Sequence, residues 1–438
     1  MRDQANQETK QLLEFIKSSP TAFQAVQSTV ELLQKNGFEE LQEGKIWNLA
    51  AGKSYFVTRN QSSIIAFRLP TQKPTGFMIT ASHTDSPTLK LKPASESPAF
   101  DQYIRLNVEP YGGTILSTWL DRPLSLAGRV ILGKDGKVTS KNIKIDRDLL
   151  LIPNVAIHQN RSVNTGYSYN PAVDLLPLFS QKLEECGNLK AILATELGCS
   201  EDEILSADLY LYNRTNACIW GANNEFFSSP RIDNLMCLYG TLSAFIASQN
   251  ENTIPVFYAA DNEETGSATK QGAGSVFLSD VISEICEALK VEKRVLLASS
   301  MMVSADNGHA KHPNHPELSD AQNAPHLNRG VVIKSNAAQK YTTDAVSAAL
   351  FEEICKRAQV PVQYFANRSD MPGGSTLGSI SNTNVPLITV DIGMAQLAMH
   401  SSYESAGVAD TEHLIRAMTA FYNTRIYSNT DGTYRLEQ

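Results

Sequence analysis

The sequence predicts an α/β protein whose mixed, mostly parallel sheet carries helices on both faces and which contains an inserted β-rich domain. In the second half of the chain, short apolar runs alternate with helical patterns, as they do in strand–helix–strand units. Between residues 92 and 228, short β-like segments and many turn residues replace that alternation. The sequence therefore predicts a main domain formed by residues 1–91 and 229–438, with residues 92–228 inserted between its two parts.

The elements of the main domain follow from apolar periodicity and from helix-breaking residues. A first helix is predicted over residues 8–17, and a second begins after Pro20 and Thr21 and ends near Gly37. Strands before the insertion are predicted at residues 54–58, 63–68 and 76–80. Apolar runs after the insertion predict strands at residues 255–260, 296–303, 330–333, 362–365 and 386–392. Helices are predicted at residues 235–247, 281–289, 343–358 and 410–422.

The inserted domain is predicted to be β-rich, with strand-like segments at residues 105–108, 128–132 and 208–212. One helical pattern interrupts these segments near residues 175–185. Because the insertion leaves the main domain and later re-enters it, the parts of the main sheet on either side must come together in space.

Composition restricts the class of partner. The chain has 438 residues, a net charge of −8 and 42% hydrophobic residues, which is typical of a globular protein with a large core. The negative charge argues against nucleic acid or a membrane as the main partner. No stretch approaches the length of a membrane-spanning helix, and the N-terminus shows no secretory pattern. Scattered cysteines without a C-x-x-C pair predict reduced thiols and a cytoplasmic location.

Side chains of the types that bind metals follow four of the predicted strands, and a fifth group opens a predicted helix. The groups are His83 with Asp85, Asp233, Glu263 with Glu264, Asp306, and His400. Ligands of open α/β sheets bind outside the carboxyl ends of the strands, so these side chains are expected to meet at one edge. Singly, each has a simpler interpretation as a turn former, a helix N-terminus or a polar histidine. Their coincidence favours a metal site.

Two features of this set predict its chemistry. Residues two apart on an extended strand face the same side, so Asp85 could bond one ring nitrogen of His83 and present the other to a metal. Asp233, Glu264 and Asp306 contribute three negative charges, which two divalent cations and one hydroxide would nearly neutralise. Two such cations suit hydrolysis of an amide or an ester. Glu263 is then not needed as a metal ligand. An unligated carboxylate beside a metal-bound water is what a general base requires.

Four motifs together resemble the M18 aminopeptidases, which are the aspartyl aminopeptidases and their yeast vacuolar relatives. They are Ser-His-Thr-Asp-Ser-Pro at 82–87, Arg-Ile-Asp-Asn at 231–234, Asp-Asn-Glu-Glu-Thr-Gly-Ser at 261–267 and Ala-Met-His-Ser at 398–401. The resemblance extends over essentially the whole chain. It implies a zinc-exopeptidase-like fold, with the main domain catalytic, and the release of N-terminal residues from peptides.

The resemblance also implies a ligand set. Asp233 would bridge two zinc ions, with His83 and Asp306 on one ion and Glu264 and His400 on the other. Glu263 would be the general base that activates a hydroxide, and Asp85 would be the partner of His83. Zinc suits a mixed histidine and carboxylate set, although manganese or cobalt could replace it at one site.

Substrate contacts are implied for several further residues. His309 and His312 would line the mouth of the active site, and Met371 and Gly374 would form part of the pocket wall. A separate zinc site built on His309, His312 and His315 is the alternative, but Pro313 and Pro316 predict a loop that would not align the histidines.

Lys334 and Tyr341 lie in a segment that resembles the specificity segment of the family. From the residues alone, Lys334 follows a buried strand and could extend to solvent. In a pocket, its point charge would favour a substrate whose first residue is Asp or Glu. Family members also include enzymes that prefer neutral residues, so both preferences stay open.

The resemblance implies an oligomer as well. His158 would reach from one subunit into the active site of its neighbour, and the inserted domain would be the dimerisation domain. Dimers would assemble further into a tetrahedral dodecamer.

Two alternatives to an aminopeptidase remain from the sequence. An N-acyl amino acid amidohydrolase or a carboxypeptidase could use the same dinuclear arrangement on the same scaffold. A non-catalytic assembly or carrier protein could retain the fold, but it would not need Glu263.

Overall fold

The computed structural model describes residues 2–182 and 188–437. Its centre is a nine-stranded sheet. In spatial order, the strands are Glu39–Leu41, Ser54–Arg59, Ser63–Arg68, Ile254–Ala260, Phe77–His83, Met301–Ala305, Ile388–Gly393, Val331–Lys334 and Val362–Phe365. Five neighbouring pairs are parallel and three are antiparallel. The predicted mixed, mostly parallel sheet is therefore confirmed.

Helices cover both faces of this sheet, and its central strands are therefore buried on both sides. On the strand Phe77–His83, Met78 packs into one core with Phe245 and Leu414. The next residue, Ile79, points to a second core with Phe277. The helices are Arg2–Ser18, Ala22–Lys35, Pro171–Asp174, Leu189–Leu197, Ile232–Ala247, Phe277–Leu289, Lys293–Leu297, Ala345–Arg357, Leu377–Ser381 and Val408–Tyr422.

The inserted segment builds a six-stranded antiparallel sheet with a core of its own. In spatial order, its strands are Lys137–Lys144, Leu124–Lys134, Ile204–Asn213, Thr88–Ala99, Tyr103–Tyr111 and Leu178–Gln181. The sheet thus spans residues 88–213, whereas the domain boundaries at 91/92 and 228/229 stay a prediction.

Two smaller sheets complete the described chain. The five-stranded sheet contains Cys218–Trp220, Phe226–Ser229, Glu404–Gly407, Ala395–Leu397 and Gly308–His309. It joins the end of the insertion to the segment that carries His400. A C-terminal hairpin contains Arg425–Thr430 and Thr433–Glu437.

Two predicted elements are wrong. The helix expected near residues 175–185 is replaced by the edge strand Leu178–Gln181, because Pro177 interrupts the helical pattern; residues 183–187 lie outside the described chain. The strand expected at residues 296–303 begins as the short helix Lys293–Leu297 and becomes a strand only at Met301. A short apolar run does not distinguish these two states.

Within residues 2–182 and 188–437, no helix combines the length and the apolar character needed to cross a membrane.

Candidate metal centre

The predicted metal ligands lie where central strands of the large sheet end. The strands Phe77–His83, Ile254–Ala260 and Met301–Ala305 run in the same direction, and Ala260 lies opposite His83 in the register. The first strand ends at His83, and Asp306 directly follows the third. After the middle strand, Glu263 and Glu264 sit in the single 3-10 turn Glu263–Thr265. This turn, rather than an extended strand, allows both glutamates to face the same edge.

Asp233 lies at the start of the helix Ile232–Ala247, but its own backbone is not helical. It has φ −82° and ψ 112°, and the Asp233–Asn234 peptide bond is cis. The side chain is buried between the strand ends, and its Oδ1 atom has no hydrogen-bond partner among the described residues. A buried carboxylate oxygen without a donor is costly, unless a cation occupies the space in front of it.

The two oxygens of Asp233 face two different groups of potential metal ligands, whose ligand atoms are called donors below. Oδ1 is 3.5 Å from His83 Nε2, and the same nitrogen is 3.5 Å from Asp306 Oδ1. Oδ2 is 3.5 Å from His400 Nε2, which in turn is 3.5 Å from Glu264 Oε2. The donors therefore form two sets of three that share one carboxylate.

This spacing fits a metal centre. Zinc binds nitrogen and oxygen at about 2.0–2.2 Å, so two ligands of a tetrahedral ion lie roughly 3.3–3.6 Å apart. Ligand atoms of His83, Asp233 and Glu264 also lie within 4.8 Å of one another. The spacing of the residues present thus fits a divalent cation.

The electrostatics of these side chains also favour positive charge at the site. Burial raises the pKa of Glu264 well above its ordinary value, and the charge of Asp233 raises it further. Burial by itself would lower the pKa of His400, but Asp233 and Glu264 raise it to about 10. Without metals, protons on the histidines would therefore offset the carboxylates. Metal binding would release them, because a histidine must be neutral to coordinate.

Backbone carbonyls fix the tautomers of both histidines. His83 Nδ1 is 3.1 Å from the carbonyl oxygen of Asp85, and His400 Nδ1 is 3.1 Å from that of Gly113. A carbonyl can only accept, so each Nδ1 carries the proton and each Nε2 presents its lone pair to the shared donor set. The carboxylate of Asp85 is further from His83 Nδ1, at 3.4 Å.

The Asp85 carboxylate instead organises the glutamate turn. Its Oδ1 accepts the Glu263 N–H and its Oδ2 accepts the Glu264 N–H, each at 3.2 Å. Oδ2 also accepts the hydroxyl of Tyr111 at 2.7 Å. Asp85 therefore links the strand that carries His83 to the turn that carries both glutamates.

Glu263 has the environment of a base rather than of a ligand. Burial, together with the charges of Asp306, Asp85 and Asp233, raises the pKa of its carboxyl to about 8, although His83 acts in the opposite direction. Among the described residues its carboxylate makes no hydrogen bond, so both oxygens are free to face a substrate or a water molecule.

Glu404, Tyr111 and Gly113 were not identified from the sequence. Glu404 is buried, and its two oxygens accept the backbone N–H groups of Asp233 at 3.1 Å and of His400 at 2.8 Å. Tyr111 and Gly113 lie in the inserted segment and carry no local pattern that indicates a metal site.

Lys334 is buried beside Asp306 instead of extending to solvent. Its Nζ atom donates to the carbonyl oxygens of Asp306 at 2.6 Å and Asn307 at 3.3 Å, and to Asp306 Oδ2 at 3.3 Å. The ring of Tyr341 lies against the same ammonium, 5.2 Å from ring centroid to Nζ. Burial alone would lower the pKa of Lys334, but Asp306 raises it above its ordinary value.

The other predicted substrate residues divide into two locations. His309, His312 and Met371 line one cleft of about 280 Å³, together with Phe365 and Met399. Gly374 is exposed on the same loop as Met371, and a β-carbon placed on it would meet no atom within 4 Å. His158 sits on an exposed turn of the inserted domain, where no described residue of the metal-binding set contacts it.

The comparisons with known proteins agree with this fold and with a metal-dependent enzyme. The family model for aminopeptidase I zinc metalloproteases (M18) matches residues 15–422. A relative from Clostridium acetobutylicum, described as a probable M18 family aminopeptidase 2, is 45% identical and aligns over 94% of this chain and 98% of its own length.

Solved structures agree as well. The cryo-EM structure of the Ape4 and Nbr1 complex matches with a TM-score of 0.92 and 39% identity over 96% of this chain and 86% of that one. The S. cerevisiae mApe1 dodecamer matches with a TM-score of 0.84 and 27% identity over 94% and 95% of the two chains.

The fold, the donor set and these matches define a metal-dependent peptide hydrolase. Within that class, the chain belongs to the M18 family of aminopeptidases. The family resemblance, the fold class and the assignment as a peptidase are therefore confirmed, and the metal-dependent activity is that of an aminopeptidase.

Proposed function

We propose that this aminopeptidase uses two divalent metal ions, with Asp233 as the bridging ligand. The observation that supports this assignment is the division of the Asp233 oxygens, one 3.5 Å from His83 Nε2 and the other 3.5 Å from His400 Nε2. His83 and Asp306 would complete one site. Glu264 and His400 would complete the other, and zinc suits this mixture of imidazole and carboxylate ligands.

Two ions, when bound, lower the pKa of a coordinated water molecule and polarise the scissile carbonyl group. Glu263 would accept the proton of the attacking water at its carboxylate and would then donate that proton to the departing amine. Its carboxylate forms no hydrogen bond with another described residue, which leaves it free to take up this proton. Asp85 would keep Glu263 in place, because its carboxylate accepts the backbone N–H of Glu263.

We further propose a homo-oligomer that forms through the inserted domain, and a cytoplasmic location. The dodecameric assembly of the S. cerevisiae mApe1 relative supports an oligomer for this chain. Exposed apolar side chains on the inserted domain, among them Val155 and Ile157, flank His158 and suit contact with a second subunit. His158 would then reach the active site of the partner, in dimers built into a tetrahedral dodecamer.

Metal removal and substrate choice test the core of this proposal. Dialysis against a chelator is expected to abolish hydrolysis of aminoacyl p-nitroanilides, and zinc is expected to restore it with two ions bound per chain. The measurement is metal content by mass spectrometry beside the rate at each zinc concentration, with manganese and cobalt in parallel. Hydrolysis of N-acyl amino acids alone, or one ion at full activity, would contradict the proposal.

The preference for the first residue of the substrate depends on Lys334. Because its positive charge would attract an acidic side chain, we propose that the enzyme prefers substrates whose first residue is Asp or Glu. All three donors of the ammonium, however, are already directed to Asp306 and Asn307. Lys334 would therefore act on an acidic substrate through its charge, while it also holds the ligand Asp306 in place.

Substitution Lys334→Met is expected to destabilise the metal-free protein by about 3–5 kcal/mol, because it leaves the largely buried Asp306 carboxylate without a cationic partner. The metal content should fall, and the ratio of kcat/KM for Asp over Ala substrates should fall as well. Calorimetry and the two substrate rates measure these effects. Lys340→Met, an exposed lysine nearby, is the control and should change neither. An unchanged Asp-to-Ala ratio in Lys334→Met would remove the proposed acidic preference.

A further inference from the structure

One segment of the inserted domain crosses the metal centre. Residues 111–118, called here the crossing segment, leave the strand Tyr103–Tyr111 of the six-stranded sheet and end in the short 3-10 helix Leu116–Trp119. Between these two elements the segment contacts Glu264 and His400, which belong to the same group of predicted metal ligands. Glu264 follows a strand of the large sheet, so the contacts join two different sheets at one site.

The first contact is made by Tyr111. Its hydroxyl donates to Asp85 Oδ2 at 2.7 Å and accepts from Asn262 Nδ2 at 2.8 Å. Asp85 in turn accepts the N–H groups of Glu263 and Glu264. Tyr111 is thus hydrogen-bonded to the turn that carries the predicted base and one predicted ligand, both through Asp85 and directly through Asn262.

The second contact is made by the two glycines that follow. Gly112 has a φ of +71°, and a β-carbon placed on it would lie 3.0 Å from the β-carbon of Glu264. The carbonyl of Gly113 accepts the proton of His400 Nδ1 at 3.1 Å. The close approach to Glu264 therefore requires glycine at position 112, and the orientation of the His400 ring depends on the backbone at position 113.

The third contact is with the backbone of His400. The N–H of Ile115 donates to the His400 carbonyl at 2.9 Å, and the hydroxyl of Thr114 donates to the same oxygen at 3.3 Å. Trp119 fixes Thr114 in turn, through a bond of 2.7 Å from its indole nitrogen. His400 is consequently bonded to the crossing segment at both its ring and its main chain.

We propose that the crossing segment positions the metal centre, so that the inserted domain sets metal affinity in addition to any role in assembly. Tyr111 is the positioning residue for the Glu263–Glu264 turn, and Gly112 to Ile115 position Glu264 and His400. This inference rests on the proposed dinuclear function. Partners that orient ligands in this way typically change metal affinity by 10–100-fold when they are removed.

The decisive comparison is Tyr111→Phe against Tyr210→Phe. The two rings stack edge to face with centroids 5.5 Å apart, so both variants remove one hydroxyl from the same aromatic pair. Only the Tyr111 hydroxyl bonds Asp85. Metal dissociation constants from chelator competition should rise about 10–100-fold in Tyr111→Phe. They should stay within twofold of the wild type in Tyr210→Phe, and the cobalt absorption spectrum should shift only in Tyr111→Phe. Equal constants and spectra in the two variants would overturn the proposal.

A second pair of variants keeps the test decisive if Tyr111→Phe folds poorly. Gly112→Ala and Gly136→Ala place a side chain at φ +71° and +76° respectively, so they share the same backbone strain. Only Gly112→Ala meets Glu264, because a β-carbon at Gly136 has open space around it. Weaker metal binding in Gly112→Ala alone supports the proposal, and equal binding in both contradicts it. Failure of the proposed function would appear separately, as wild-type protein that binds fewer than two ions or cleaves no aminoacyl substrate.

Discussion

Substitution Glu263→Gln is expected to lower kcat by about 10²–10⁴-fold while leaving both metal ions bound, since that is the usual contribution of a general base. Glutamine keeps the size of the side chain but cannot accept the proton of an attacking water molecule. In the structure, the Glu263 carboxylate lies beside the shared donor set and forms none of the four 3.5 Å contacts within it. Its removal should therefore affect proton transfer and not metal binding.

The adjacent residue gives the matched control for this variant. Glu264→Gln changes the same chemical group one position along the chain, but Glu264 Oε2 lies 3.5 Å from His400 Nε2 within the donor set. This second variant should lose metal at one site, whereas Glu263→Gln should retain two ions with an unchanged KM. Metal analysis beside steady-state kinetics separates the two. Normal turnover by Glu263→Gln, or loss of metal from it, would show that the two roles are assigned wrongly.

Substitution Asp233→Asn is expected to have the largest effect on metal content. One carboxylate serves both groups of ligands, so its neutralisation removes from each ion an attraction of at least roughly 4 kcal/mol, which is the value for two unit charges about 4 Å apart at an effective dielectric of 20. That loss corresponds to about a thousandfold weaker binding per ion. The purified variant should contain less than one ion per chain and show no measurable turnover.

Asp261→Asn is the control for the loss of a buried carboxylate in the same region. Asp261 is buried, and burial raises its pKa to about 7, but its Oδ1 accepts the N–H of Asn262 and it belongs to neither donor set. The side-chain oxygen of asparagine can accept the same hydrogen bond from the Asn262 N–H, so this variant should keep the local structure and retain two ions. Isothermal titration of zinc into both metal-free variants gives the comparison. Full zinc binding by Asp233→Asn would exclude the shared-carboxylate arrangement.

The large sheet and the positions of its polar ends could be predicted from the sequence, because both follow from local patterns. Apolar runs such as residues 254–260 mark buried strands, and polar residues at their ends mark the edge where parallel strands terminate. His83, Glu264 and Asp306 lie at that edge. The failures at Pro177 and at residues 296–303 were local too, because short apolar segments form either a helix or a strand according to their neighbours.

The residues that orient the predicted ligands could not be predicted, because each acts through a contact between distant parts of the chain. Tyr111 meets Asn262 across 151 positions, and Gly113 meets His400 across 287. No periodicity or spacing near Tyr111 indicates that its hydroxyl will bond Asp85. The position of Lys334 could not be predicted either, since its partner Asp306 follows another strand of the sheet.

The carbonyls that fix His83 and His400 bear on how this site can change during evolution. Both belong to the main chain, at Asp85 and Gly113, and every amino acid supplies the same acceptor. A substitution at either position keeps the backbone carbonyl. The acceptor is lost only if the backbone conformation of the loop changes. The tautomers of both imidazoles are therefore inherited with the shape of two loops, and insertions or deletions there should be purged more strictly than substitutions.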